Sequence, residues 1–291
     1  MLGRGALDAA PLRWGLARRE LFLWVGLILL AHYVSDYISL FRQAHARSAD
    51  AYPTEFFSID AFRALAWYAV FSLARRSDSA RPSTPLDVAT AVVLCAIDLV
   101  PHEKILWIVA SAAAAYFFIT SANDLSLRAA AIVLGALSVN ELWARGLFRL
   151  VTFDLLRADA AIVGSAMAAT REGVVWHDNI ITMPSGHSIQ VLAGCSSFHN
   201  LSLALLCWVT VSKLTRPKWR KRDFAVAAIV CAAMIALNVA RIYLMALDLN
   251  SYRFWHEGFG AEIFVLGASF ITVLSDSRPV RPLGRIRLPD R

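Results

Sequence analysis

The chain has 291 residues, 58 % of them hydrophobic, and a mean hydropathy of +0.53. Soluble domains run at about 45–50 % apolar, so this excess excludes an ordinary soluble protein and points to lipid. The net charge of +7 sits in loops between apolar runs. It does not form a basic face with interleaved aromatics, which argues against nucleic-acid binding.

A membrane-crossing helix needs about 20 mostly apolar residues, because each adds about 1.5 Å against a hydrocarbon core of about 30 Å. Taken in chain order, the sequence predicts an all-α polytopic membrane protein with about eight transmembrane helices, at 20–41, 57–73, 86–100, 105–119, 129–147, 198–214, 224–247 and 258–274. The first is followed by Ala44-His45-Ala46, which resembles a leader cleavage site. Its apolar run is too long for a leader and further spans follow, so it reads as an anchor. The second carries Asp60 and Arg63, spaced i to i+3 on one helix face.

Charge sets the orientation. Lys213, Arg216, Lys218, Arg220, Lys221 and Arg222 crowd one short loop between the sixth and seventh spans, and such a loop stays on the cytoplasmic side. Both termini are then cytoplasmic, and 195–200 and 248–258 face outward. The chain divides into a five-helix membrane region, 1–147, and a region 148–291 that carries the polar features below.

The longest stretch between spans, 148–197, opens with helical apolar spacing over 149–171, as expected of a helix lying along the interface. A small β-meander follows before the sixth helix. Val174-Val175-Trp176 turns at Asp178-Asn179 into Ile180–Met183, then at Pro184-Ser185-Gly186 into Ile189-Gln190-Val191. The meander runs straight into Gly194-Cys195.

Three of the four cysteines, Cys95, Cys207 and Cys231, lie inside apolar helices, where a thiol usually behaves as a small hydrophobe. No spacing suggests a metal site, and neither metal nor cofactor is expected. Cys195 stands at a boundary, followed by Ser196 and Ser197 as N-cap residues. A thiol there meets the positive end of the helix dipole, which favours the nucleophilic thiolate.

Arg241 lies inside the seventh span, about 27 Å up the helix from Asp223, near the outer interface. An arginine within a span marks function by default, with snorkelling to headgroups as the plainer reading. Asn238 precedes it by one turn on the same face. His256, at the entry to the eighth span, shares the side of Cys195 and suits proton transfer. Alone it would read as an interfacial histidine in an aromatic belt.

These residues carry a resemblance. Cys195-Ser196-Ser197, Asn238-Val-Ala-Arg241 and His256-Glu-Gly-Phe-Gly260, together with the segment from Arg171-Glu172-Gly173 to Pro184, resemble the exosortase/archaeosortase family of membrane transpeptidases and proteases. The resemblance covers residues 145–275. It implies a cysteine peptidase or transpeptidase in a bacterial or archaeal cytoplasmic membrane, with its active site facing outward. Its partners would be the bilayer and exported proteins bearing a C-terminal anchor helix and basic tail. Cys195 would attack the peptide carbonyl, His256 would act as base and then acid, and Arg241 would steady the oxyanion or the substrate. Asn238, Ser196, His199 and Gly260 would support them. Ser197 stands where the family usually has Gly. His199 stands at an often basic position one turn from Cys195, and competes with His256 as base.

Two other readings remain. Pro184-Ser185-Gly186-His187 matches the central motif of phosphatidic-acid-type membrane phosphatases. The upstream element has no candidate, because no Lys lies between Lys104 and Lys213, and Gly260 stands where the downstream Asp is needed. A turn between two short strands explains the same phrase. A non-catalytic membrane assembly factor would use the same fold without needing Cys195.

Overall fold

The structure, a computed structural model, describes residues 16–47, 54–77, 81–216, 218–256, 258–260, 263 and 267, without the side chains of 40, 41, 43–47, 54–60 and 199. The N-terminal arm, Asp60's side chain, most of the expected eighth span and the basic tail after 275 lie outside this description. The helices are α1 (Arg18–Arg47), α2 (Thr54–Arg75), α3 (Pro85–Asp98), α4 (Glu103–Thr120), α5 (Leu125–Ser138), α6 (Ala144–Ala168), α7 (Ser197–Thr215), α8 (Lys221–Ala246) and α9 (Leu249–His256). A π-turn over Val139–Trp143 joins α5 to α6. By length and composition, Arg18–Ser39, Glu103–Thr120, Leu125–Ala168 and Lys221–Ala246 suffice to cross a membrane, and Asn200–Thr215 is a shorter apolar helix.

Two features bear on the expected spans. The 86–100 span is a helix of 14 residues, Pro85–Asp98, about 21 Å long and close to the length expected of it. Thr84 starts it, accepting the Asp87 amide while the Asp87 carboxylate accepts the Thr84 amide, and Pro85 occupies its first turn. Pro101 follows its last turn and prevents extension. The break expected near 147 is a kink rather than a loop. Residues 125–168 form one helical run of 44 residues, with a local kink at Val151 (φ −120°, ψ 15°). The helix expected over 149–171 follows this kink without an intervening loop. No Pro interrupts the run, and the π-turn over Val139–Trp143 lies within it.

The chain divides into two units, one of residues 1–52 and 70–135, the other of 53–69 and 136–291. In the first, α1 packs on α3 and α4. Phe22 meets Phe117 edge-on at 4.9 Å, and Trp107 meets Tyr33 at 5.8 Å. The buried carboxylate of Asp87 receives Arg18 at 3.1 Å and the Tyr116 hydroxyl at 2.7 Å. Further along α1, His32 Nδ1 lies 3.0 Å from Asp98 and Nε2 lies 3.4 Å from Asp36.

In the second unit, β1 (Val175–His177), β2 (Ile180–Thr182) and β3 (Ser188–Gln190) form an antiparallel sheet in the order β1-β2-β3. These are the strands and turns expected from the sequence. Asp178 takes the positive φ of 51° at the first turn, a conformation Asp tolerates. Gly186 takes φ +85° at the second. Alternation puts Trp176, Ile181 and Ile189 on one face. Ile181 and Ile189 join a core with Leu156, Ala160, Val163 and Met167 of α6 and Ile242 and Met245 of α8. Gly164 is required on that α6 face, because a Cβ there would stand 2.6 Å from the Trp176 indole. The β1–β2 turn is pinned to α6 by Arg157, whose Nε donates to Asp178 at 2.7 Å and holds that carboxyl below the usual carboxylate range.

Candidate active site

Cys195 ends a 3-10 turn over Ala193–Cys195, one residue before the N-cap of α7. Its thiol is not in a disulfide, and the residue packs against the core shared by α6, the sheet and α8. Ser196 is the N-cap as expected, its hydroxyl accepting the Phe198 amide at 3.2 Å.

α8 holds this turn. Asn238, 0 % exposed, donates from Nδ2 to the Cys195 carbonyl at 2.9 Å and to the Ser197 hydroxyl at 3.1 Å. Its Oδ1 accepts from Asn200 of α7 at 2.8 Å. Both ends of the amide are thus answered, as a buried amide between apolar helices requires. Three residues on, Arg241 donates from Nε to the Trp255 carbonyl at 3.0 Å. Trp255 immediately precedes His256, the last residue of α9. One helix, over one turn, therefore bonds to the nucleophile candidate's own backbone and to the residue beside the base candidate.

α9 is started by Asp248. Its carboxylate accepts the Ser251 amide and hydroxyl, each at 2.9 Å. The amide is the main cause that keeps this carboxyl below its ordinary range. One turn before the end of α9, Tyr252 stacks on the His256 ring at 4.9 Å and 16°. The His256 Nδ1 is buried with no hydrogen-bond partner among the described residues. Gly260 is explained by crowding: a Cβ there would lie 2.8 Å from the Phe254 carbonyl oxygen and 2.8 Å from the Trp255 ring. Gly four residues after His256 lets the chain fold back tightly over the end of α9. His199 lies in the first turn of α7, with its side chain outside the described atoms.

His187 stands in the β2–β3 hairpin. Its carbonyl accepts the Met183 amide at 2.8 Å, the Gly186 amide bonds back to the Met183 carbonyl at 2.9 Å, and Nε2 lies 3.4 Å from the Met245 carbonyl oxygen. Pro184-Ser185-Gly186-His187 thus forms the hairpin turn that its composition alone explains.

Three contributors were not singled out by the sequence reading. Asp159 of α6, 5 % exposed, accepts the Ser197 amide at 2.9 Å. Asn200 braces Asn238. Glu141, in the π-turn, receives Arg63 of α2 at 2.7 Å, the Asn140 amide at 2.7 Å and Arg145 at 2.8 Å, and Ser202 of α7 donates to Asn140 at 3.1 Å. Asp159 had a signal: it is a carboxylate within the apolar stripe Leu156, Ala160, Val163, Gly164 and Met167. Arg63 was noticed for its spacing to Asp60, yet it reaches Glu141, 78 positions away in sequence.

A family model described as transmembrane exosortase matches residues 50–273. No curated protein and no solved structure matches the chain.

Proposed function

The chain belongs to the transmembrane exosortase family, and on that premise we propose that it is a membrane cysteine peptidase or transpeptidase with Cys195 as nucleophile. It is a multi-pass membrane protein. Its substrates in this reading are exported proteins with a C-terminal anchor helix and a basic tail, processed at the outer face of a bacterial or archaeal cytoplasmic membrane. About eight spans with both termini cytoplasmic would leave the turn before α7 on that face. The basic loop 213–222 supports this orientation. Residues 148–291 would then be the catalytic region.

The chemistry follows from the groups present. The Cys195 sulfur attacks the scissile carbonyl carbon, and its proton passes to His256. The tetrahedral oxyanion collapses, His256 returns the proton to the leaving amine, and a thioester remains on Cys195. Water or an acceptor amine then attacks the thioester carbonyl and gives its proton to His256; the C–S bond breaks, the proton returns to the Cys195 sulfur, and the acid or amide product leaves. Arg241 places positive charge where the oxyanion develops, while its Nε bond to Trp255 steadies the end of α9. Asn238, Ser196 and Gly260 hold the backbone that carries these groups.

The observation that carries the reading is the single turn of α8 from Asn238 to Arg241, which bonds to Cys195 at one end and to the neighbour of His256 at the other. The test is processing of exported proteins in cells carrying Cys195→Ala, followed by immunoblot. The expected result is unprocessed substrate at normal levels of the membrane protein, a loss of at least about a thousandfold. His256→Ala and His199→Ala, run alongside, identify the base by which of them matches the Cys195→Ala defect. Unchanged processing in Cys195→Ala would leave a non-catalytic role. A defect in His187→Ala with none in Cys195→Ala would favour phosphate chemistry.

A further inference from the structure

The N-terminal end of α7 is already occupied by a carboxylate. Asp159 sits in the buried stripe of α6 and its Oδ2 accepts the first amide of α7, that of Ser197, at 2.9 Å. The next amide, Phe198, goes to Ser196 Oγ. A carboxylate on an apolar helix face is costly unless something answers it, and here the answer is the positive end of α7. Two helices therefore grip the Cys195–Ser196–Ser197 turn: α6 through Asp159 at the Ser197 amide, and α8 through Asn238 at the Cys195 carbonyl and Ser197 hydroxyl.

We propose that Asp159 is a positioning residue for the nucleophile turn and that its negative charge, bonded two residues from Cys195, keeps the thiol protonated until substrate and His256 engage it. The proposal rests on the reading of Cys195 as nucleophile. The helix dipole that would favour a thiolate is matched by Asp159, and a second negative charge beside a carboxylate is disfavoured. The resting thiol then behaves as an ordinary protonated cysteine, less open to oxidation than an exposed thiolate. Among the other titratable and charged residues on the elements around the turn are Asp154 and Arg157 of α6, His187 of the hairpin, His199 of α7, Arg241 and Tyr243 of α8, and Tyr252, Arg253 and His256 of α9. Among the described residues, Asp159 is the carboxylate bonded to the turn.

The test is the rate of Cys195 alkylation by iodoacetamide against pH. It uses the full chain in lipid nanodiscs, with modification read at the Cys195 peptide by mass spectrometry. Asp159→Asn keeps an oxygen for the Ser197 amide but loses the charge. Its profile is expected to move about one pH unit lower, with alkylation near neutral pH rising up to about tenfold. Asp159→Glu, which keeps the charge, is expected to follow the wild-type profile, as is Asp154→Asn, which removes an exposed charge from the same helix. Asp159→Ala, which removes charge and acceptor together, is expected to lower kcat for processing about tenfold or more with KM changed less than about twofold. An Asp159→Asn profile that superimposes on the wild type, or an equal shift in Asp154→Asn, overturns the proposal. Alkylation needs no turnover, so failure of the nucleophile reading shows separately, as processing that survives Cys195→Ala.

Discussion

Two buried polar clusters in this chain are built on opposite terms. Around Asn238 the amide is answered at both ends: Nδ2 bonds to Cys195 and Ser197, and Oδ1 to Asn200. Around His32 the accounting is incomplete. His32 Nδ1 meets Asp98 at 3.0 Å, but Asp98 Oδ2, Asp36 Oδ2 and His32 Nε2 have no hydrogen-bond partner among the described residues. His32 Nε2 and Asp36 Oδ2 stand 3.4 Å apart without the alignment of a hydrogen bond. A satisfied cluster between helices fixes geometry. An incompletely satisfied one is a cost that the surrounding helices carry. The contrast separates polar residues that position a site from those that merely survive burial.

The largest expected effect comes from splitting the His32–Asp98 pair. His32→Leu strands the Asp98 carboxylate, which is 5 % exposed, and is expected to lower stability by about 3 kcal/mol in thermal unfolding of the full chain. Replacing both, as His32→Leu with Asp98→Leu, is expected to be neutral or stabilising. If the double replacement costs as much as the single one, the cluster is a positioning device like that of Asn238, and the contrast fails.

Asn238→Leu comes next. It leaves the Cys195 carbonyl and the Asn200 amide short of partners, at about 2 kcal/mol of stability. Processing is expected to fall more than the stability loss explains, because the Cys195 turn loosens. Processing that tracks stability alone would reduce Asn238 to a packing residue.

Asp248 gives the smallest effect. Its carboxyl lies below its ordinary range because it accepts the Ser251 amide. A lowered folded value means the contribution is fully present above the unfolded pKa, about 3.9, and disappears as pH falls through the folded one. Asp248→Asn is expected to flatten that acid limb in a pH series of α9 protection measured by hydrogen exchange. A limb unchanged in the variant would move the origin of the acid sensitivity elsewhere.

Local chemistry made much of the second unit readable. Pro184-Ser185-Gly186 and Asp178-Asn179 turn where turn residues must, and Ser196 caps α7 because a hydroxyl before an apolar run reaches its orphan amides. Cys195, Asn238, Arg241 and His256 were expected together from the order of the spans, and the structure has Asn238 bonded to the Cys195 carbonyl and Arg241 to the Trp255 carbonyl beside His256. What stayed hidden was long-range pairing. Arg63 and Glu141, or Asp159 and Ser197, are linked by no period or spacing, only by how helices pack. The absence of a loop between α5 and α6 escaped for a different reason. Charged residues at Glu141, Arg145 and Arg149 resemble a span's end, whereas Glu141 is neutralised inside the helix by Arg63 and Arg145.

Asn238 and Arg241 also have a mechanical consequence. Membrane helices tilt and shift as the bilayer thickens or thins. Because the arm carrying the thiol and the arm carrying the imidazole are tethered one turn apart on the same rod, tilting α8 carries both along. A tilt of α8 is then shared by the Cys195 turn and the end of α9, as the jaws of a caliper travel together when the whole tool is moved.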